Sequence, residues 1–193
     1  LKEKETEILP THNAMVEISL PGMVATQEIR PIQSYVHLEP TKPTKETRTN
    51  WLRWITDPDI RKWMSGPLPE HPDQVYRWVE AATTDSRRHY FDIYSDNKTV
   101  GFVSLRQDQQ PETTGEIGIV IGDKQYQSRG IGTKAIAELL TYAKETVHLS
   151  SVRALIKPDN EKSIKLFTKS GFSLTDYVTI DNTRLLKFEK QLG

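Results

Sequence analysis

The amino-acid sequence predicts an α/β domain, a mixed sheet with helices on its faces. Two strand–turn–helix successions and a set of hairpins point to it. The apolar run at 117–121, broken only by Gly118, leads through Gln127-Ser128-Arg129 towards Ile131, Ala135, Ile136, Leu139, Leu140 and Ala143, which recur at helical spacing. A second buried strand at 152–156 is followed by Pro158-Asp159-Asn160 and a helix containing Ile164, Leu166 and Phe167, stopped at Gly171. Strands at 89–94 and 100–105 flank the turn Ser95-Asp96-Asn97-Lys98, and strands at 173–180 and 183–189 flank Asp181-Asn182.

From the start of the chain, residues 1–13 are charged and end in Pro10-Thr11-His12-Asn13, which predicts a frayed or disordered segment. Val16-Glu17-Ile18-Ser19-Leu20 alternates as a strand does; Pro21-Gly22 then turns the chain, and 24–29 reads as a return strand. Residues 1–33 are therefore expected to be an N-terminal extension, partly disordered or a β-arm. Such an arm adds to the main sheet or pairs with a second copy in a homodimer. The domain proper, 34–193, opens on Ser34-Tyr35-Val36-His37-Leu38.

A helical region follows at 49–55, then a second piece in which Asp57 is the N-cap and Pro58 the first helical residue. Ser65-Gly66-Pro67 ends it. His71-Pro72-Asp73 leads into a helix with Val75, Trp78, Val79 and Ala82 on one face. All four tryptophans lie between positions 51 and 78. Core packing accounts for most of them, and lining a pocket is the alternative for one or two. A strand at 115–122 precedes a long helix running from Gly132 to about Val147.

Composition narrows the function. With 193 residues the chain is large enough to bury a core without staples, and it has no cysteine, so disulfides and thiolate chemistry are excluded. Basic and acidic residues balance at 26 each, which argues against a nucleic acid or an acidic membrane as the main partner. Between 128 and 168, however, Arg129, Lys134, Lys144, Arg153, Lys157, Lys162 and Lys165 outnumber Glu138, Glu145, Asp159 and Glu161, giving a modest positive field. No apolar segment approaches the about 20 residues needed to span a bilayer. The opening Leu1-Lys2-Glu3-Lys4-Glu5 lacks the apolar core of a signal peptide, so a cytoplasmic protein is expected. His37, His71, His89 and His148 show no metal-ligand spacing and His12 lies in the arm, so no metal is expected. Ser19, Ser65 and Ser104 have no nucleophile-elbow context, so a covalent intermediate is not expected either.

The stretch 127–133 is the focus of the chain. At a helix start several backbone N–H groups lack partners and the dipole's positive end points outward. Gly130 and Gly132 remove side chains that would keep an anion from those donors. A phosphate cradle and a plain strand-to-helix turn both fit the stretch by itself. Gly130-Ile131-Gly132-Thr133-Lys134-Ala135 also satisfies a dinucleotide fingerprint in form. That motif needs a strand running straight into its first glycine, whereas here the apolar run ends at Ile121. It also needs an acidic residue about 20 positions on, where this chain has Ser150 and Ser151.

The run from Glu116 to Thr133 resembles the signature of the GNAT superfamily, which moves acyl groups from acyl-coenzyme A to amines. Gln127, Gly130 and Gly132 match that family's pyrophosphate loop, and Asn160 through Gly171-Phe172 matches a second element, an Asn before a helix ending in Gly-Phe. The resemblance covers roughly residues 34 to 190 and looks like the ribosomal-alanine and small-amine branches. It implies a mixed, mostly antiparallel central sheet with a splayed parallel strand pair and flanking helices. It also implies acetyl-CoA as co-substrate, its diphosphate on the N–H groups of Ser128, Arg129, Gly130, Ile131, Gly132 and Thr133. Val120, Ile121 and Gly122 match the family's contacts to the pantetheine arm, and the Val120 N–H would stabilise charge developing on the thioester oxygen. Asn160 would bind the same arm and Phe167 pack beside it, although core packing explains Phe167 equally well.

Amines near pKa 10 are mostly protonated at neutral pH, so a proton must leave before attack. Glu116 aligns with the carboxylate that serves as base in several family members; the plain alternative is a strand-edge glutamate. Many members place an acidic Tyr where this chain has Phe167. Tyr126, Tyr142, Tyr177 or solvent would then protonate the thiolate. The expected function is acetyl transfer to a primary amine by direct attack in a ternary complex. The acceptor is left open among a protein N-terminus, a polyamine, an amino sugar and an aminoglycoside. A coenzyme A-binding sensor or assembly module without turnover is the alternative.

Overall fold

A computed structural model describes residues 16–20, 23–27, 35–65 and 68–193. Contacts group Tyr35–Gly193 into one compact unit, apart from Leu1–Ser34. In the smaller unit β1 (Val16–Leu20) and β2 (Met23–Gln27) pair antiparallel, with Ile18 opposite Ala25. The frayed segment at 1–13, the Pro21-Gly22 turn and the end of the return strand lie outside the described residues.

The larger unit opens on β3 (Val36–Pro40). Helix α1 (Lys45–Thr56) starts four residues before the expected position, because Thr44 caps it by accepting from the Thr47 N–H at 3.1 Å. Helix α2 (Pro58–Arg61) begins as the sequence predicts, with Asp57 Oδ1 accepting from the Asp59 N–H at 2.8 Å. Helix α3 (Pro72–Ala82) follows; the Gln74 side chain accepts from the backbone N–H groups of Glu70 and His71 at its entry. Next come β4 (Arg88–Ser95), β5 (Lys98–Gln107) and β6 (Thr114–Ile121). A single 3-10 turn at Lys124–Tyr126 leads to α4 (Ile131–Glu145). The chain closes with β7 (Ser151–Ile156), α5 (Glu161–Lys169), β8 (Ser173–Ile180) and β9 (Thr183–Gln191). The β4–β5 and β8–β9 turns are each made by an Asp-Asn pair with positive φ, 52° and 62° at Asp96 and Asn97, 47° and 61° at Asp181 and Asn182.

These seven strands form one sheet in the order β3-β4-β5-β6-β7-β9-β8. Every neighbouring pair is antiparallel except β6 and β7. Alternation along the strands sends their residues to two different cores. On one face Val103, Leu105, Ile117, Val152 and Ala154 meet Ile131, Ala135, Ile136 and Leu139 of α4. On the other face Phe102 meets Trp51, Trp54, Val75 and Val79 of α1 and α3. Trp51 and Trp54 are fully buried core residues, whereas Trp63 is exposed beside Lys62.

Candidate active site

The parallel pair is short. Register holds for Thr114 with Ser151, Gly115 with Val152 and Glu116 with Arg153, and then stops. Beyond it β6 stays paired only to β5, as far as Ile121 opposite Gly101, while Ala154 to Ile156 pair with β9. The sheet therefore opens as a wedge between β6 and β7, as the resemblance implies. Gly101 helps to hold it open: a Cβ there would lie 2.0 Å from the Val120 carbonyl oxygen, so only glycine lets β6 lean this far onto β5. The end of β6 is pinned on the same side by the Gly122 and Asp123 N–H groups, which both donate to the Val100 carbonyl at 2.9 and 3.1 Å. Side chains along the wedge alternate, Val120 packing into the Trp51–Trp54 cluster and Ile119 and Ile121 against the α4 core.

Above the open end sits the loop entering α4. Gln127 reaches back, its Nε2 donating to the Ile121 carbonyl at 2.9 Å, and its Oε1 accepts from Lys162 Nζ at 3.4 Å. Ser128 and Gly130 take φ of 62° and 78°, which turns the chain sharply into the helix. Ile131 is buried in the core and anchors the turn, while Ser128, Arg129 and Gly130 are exposed. Among the described residues, the N–H groups of 128–133 find no hydrogen-bond acceptor. The first turn of α4 has no acidic residue to neutralise the dipole. The two glycines differ. A Cβ on Gly130 would enter open space, whereas one on Gly132 would sit 3.2 Å from Leu166, so Gly132 lets α4 approach α5. Arg129 stacks over the Tyr126 ring at 5.6 Å, and Thr133 is half-buried.

On the far side of the wedge Asn160 caps α5, its Oδ1 accepting from the Ser163 N–H at 3.2 Å. Phe167 is buried, edge-on to Phe172 with ring centroids 5.1 Å apart.

At the closed end lies Glu116, on the sheet face shared with α1 and α3. Its Oε2 accepts from Arg106 at 2.9 Å and stands 3.4 Å from an Arg153 nitrogen. Arg153 also grips Asp108 through two bonds, 2.5 and 2.8 Å, and holds that carboxyl below its ordinary pKa. Arg106, Asp108 and Arg153 were not legible in the sequence: Arg106 lies on β5, Asp108 just past its end and Arg153 on β7, and only the strand register brings them together around Glu116 on β6. Beside them is a cleft of about 860 Å³, lined by polar residues of β4, β5, β7 and β9.

A wedge in a mixed sheet below a bare helix start defines a class. The family model described as an acetyltransferase (GNAT) domain matches residues 37–173. The chain belongs to the GNAT acetyltransferases and is an acyltransferase.

Acetyltransferase PseH of Campylobacter jejuni is 24% identical over 125 residues, 65% of this chain and 76% of that protein. The putative ribosomal N-acetyltransferase YdaF of Bacillus subtilis is 31% identical over 120 residues, 58% of this chain and 64% of YdaF, less than two thirds of its length. Among solved structures, aminoglycoside acetyltransferase AAC(6')-Ib in complex with coenzyme A matches with a TM-score of 0.71 at 14% identity, over 81% of this chain and 95% of that one. Spermidine N-acetyltransferase from Vibrio cholerae in complex with CoA and spermine matches with the same TM-score, identity and coverage. At these identities the likeness is one of fold.

Proposed function

We propose that the chain transfers the acetyl group of acetyl-CoA to a primary amine by direct attack, with residues 34–193 as the catalytic domain. The observation that carries this reading is the set of unmatched N–H groups at 128–133 standing over the open end of the wedge. Backbone donors at a helix start suit a diphosphate, and unpaired strand edges suit the amide-bearing pantetheine arm. Gly130, with open space where a side chain would stand, leaves the approach clear. Asn160 has its amide NH₂ available for the same arm, since its oxygen is already used in capping.

Acetyl-CoA supplies the activated acyl group. The Gly122 N–H donates to the Val100 carbonyl, so alternation along the β5–β6 register turns the Val120 N–H towards β5, against the expectation from the sequence. The backbone donors facing the gap are those of Ile119 and Ile121; one of these polarises the thioester oxygen, and Glu116 takes the proton that the acceptor's ammonium must lose, directly or through a water. Arg106 and Arg153 fix the direction of that carboxylate. Phe167 offers no hydroxyl, so the thiolate, a good leaving group with a thiol pKa near 8.5, takes its proton from solvent.

Calorimetry with acetyl-CoA and a thiol-release assay over a panel of amines test the reading. Binding together with thiol release from at least one amine is expected. Tight binding without thiol release from any amine overturns it.

A further inference from the structure

The cleft at the closed end of the wedge has a charge pattern that the transfer reaction does not require. Its walls include five cationic side chains, Arg87, Arg88, Arg106, Arg153 and Lys187, against three carboxylates, Asp85, Asp108 and Glu189. Each of those carboxylates already holds a cation. Asp85 pairs with Arg88 at 3.2 Å, Asp108 with Arg153, and Glu189 with Lys187 at 2.8 Å. Arg106 is taken by Glu116.

Arg87 is different. Among the described residues its guanidinium makes no salt bridge, and it meets the Gln109 amide oxygen, set to accept, at 2.8 and 3.2 Å. A neutral amide is a weaker partner than a carboxylate or phosphate, which guanidinium binds through parallel charge-assisted bonds. A polycation entering here would have to break existing pairs to find a negative partner, whereas an anion finds in Arg87 a guanidinium hydrogen-bonded to a neutral amide, with Asp85 acting on it through space and already paired to Arg88.

We infer that this cleft selects an acceptor that carries a carboxylate or phosphate as well as its amine, with Arg87 as the anion handle. This rests on the acetyl-transfer reading, and it narrows the acceptor. The amine reaches towards Glu116, whose partners Arg106 and Arg153 are themselves part of the cleft wall. The acceptor's anionic group lies further out, displacing the Gln109 amide. A cleft of about 860 Å³ has room for a sugar phosphate or a few peptide residues. Spermidine and unsubstituted amino sugars lack the second feature and are disfavoured.

The test uses matched probes differing only in the anion: glucosamine 6-phosphate against glucosamine, and the amidated peptides Ala-Ala-Glu against Ala-Ala-Gln, with spermidine as the cationic control. Acetylation is followed by thiol release, and binding of each probe to the CoA-loaded protein by calorimetry. One anionic probe should show a KM about tenfold below its neutral match, the size of one charge-assisted contact. Which pair responds tells phosphate from carboxylate. Arg87→Gln should raise that KM about tenfold with kcat and the neutral probe's KM unchanged, and Arg87→Lys should restore part of the loss. Anion-dependent binding without turnover keeps the cleft assignment and overturns only the transfer reading. Turnover of neutral or cationic amines with no gain from the anion, or no effect of Arg87→Gln on the anionic probe, overturns the cleft assignment. Absence of both binding and turnover overturns both.

Discussion

The Trp54 indole lies over the α-carbon of Gly122: a Cβ built on that glycine would fall 2.2 Å from the ring. Trp54 is buried, and its Nε1 donates to Asp123 Oδ1 at 3.3 Å, so helix α1 is docked onto the end of β6 through one residue pair and its neighbour. Gly122→Ala cannot be absorbed by the rigid ring without moving α1. A loss of roughly 1–3 kcal/mol, typical of overpacking, is expected in denaturant unfolding. Gly118→Ala, which meets only the Ser104 hydroxyl at 3.0 Å, should cost less.

Glu116→Gln keeps the shape and removes the carboxylate proposed as the base. Turnover should fall by roughly 100-fold or more, as for loss of a general base, while the calorimetric affinity for acetyl-CoA stays within about twofold. Unchanged turnover across the pH range would take Glu116 out of the mechanism.

The two loop glycines should separate. Gly130→Ala places a Cβ on a residue with φ of 78°, at a cost of roughly 1 kcal/mol, and puts a methyl group beside the bare N–H groups. Its acetyl-CoA affinity should drop severalfold. Gly132→Ala presses on Leu166 and should lower Tm, with less effect on affinity. Titration calorimetry and thermal melts on both variants make the comparison.

Asp92 gives a pH signature away from the chemistry. It is buried on β4 beneath α1 and accepts from Trp51 Nε1 at 3.3 Å and Thr41 Oγ1 at 3.2 Å. Burial pushes its carboxyl up to about 6. The folded state therefore binds the proton more tightly than the unfolded chain, whose value is near 3.8. This contribution to stability is fullest below pH 3.8 and declines as pH rises through 6. Asp92→Asn keeps the accepting oxygen without the charge. It should raise Tm by roughly 6–12 °C at pH 8 and change it little near pH 4. An equal shift at both pH values would remove the charge from the explanation.

What the sequence made legible is local. Asp96-Asn97 and Asp181-Asn182 adopt the positive φ that such turns need, and Asp57-Pro58 starts a helix by short-range capping. The early start of α1 was hidden because Thr44 caps it through a polar stretch without apolar periodicity. The turn at Lys124–Tyr126 is too short to show a period at all. The loop at 127–133 could be found by its glycines, but the different work of Gly132 depends on Leu166, more than thirty residues on. The Glu116 surroundings were out of reach for the same reason. Arg106 and Arg153 become its neighbours only through the β5–β6 and β6–β7 registers.

The sheet is zipped for three teeth between Thr114 and Glu116 and unzipped above them. Beyond those three pairs the facing edges of β6 and β7 are main chain, whose polar groups survive replacement of the side chains around them. On the proposed reading, an exchange of Arg87 at the charged rim below the seam changes which acceptor is taken and leaves those backbone edges as they are.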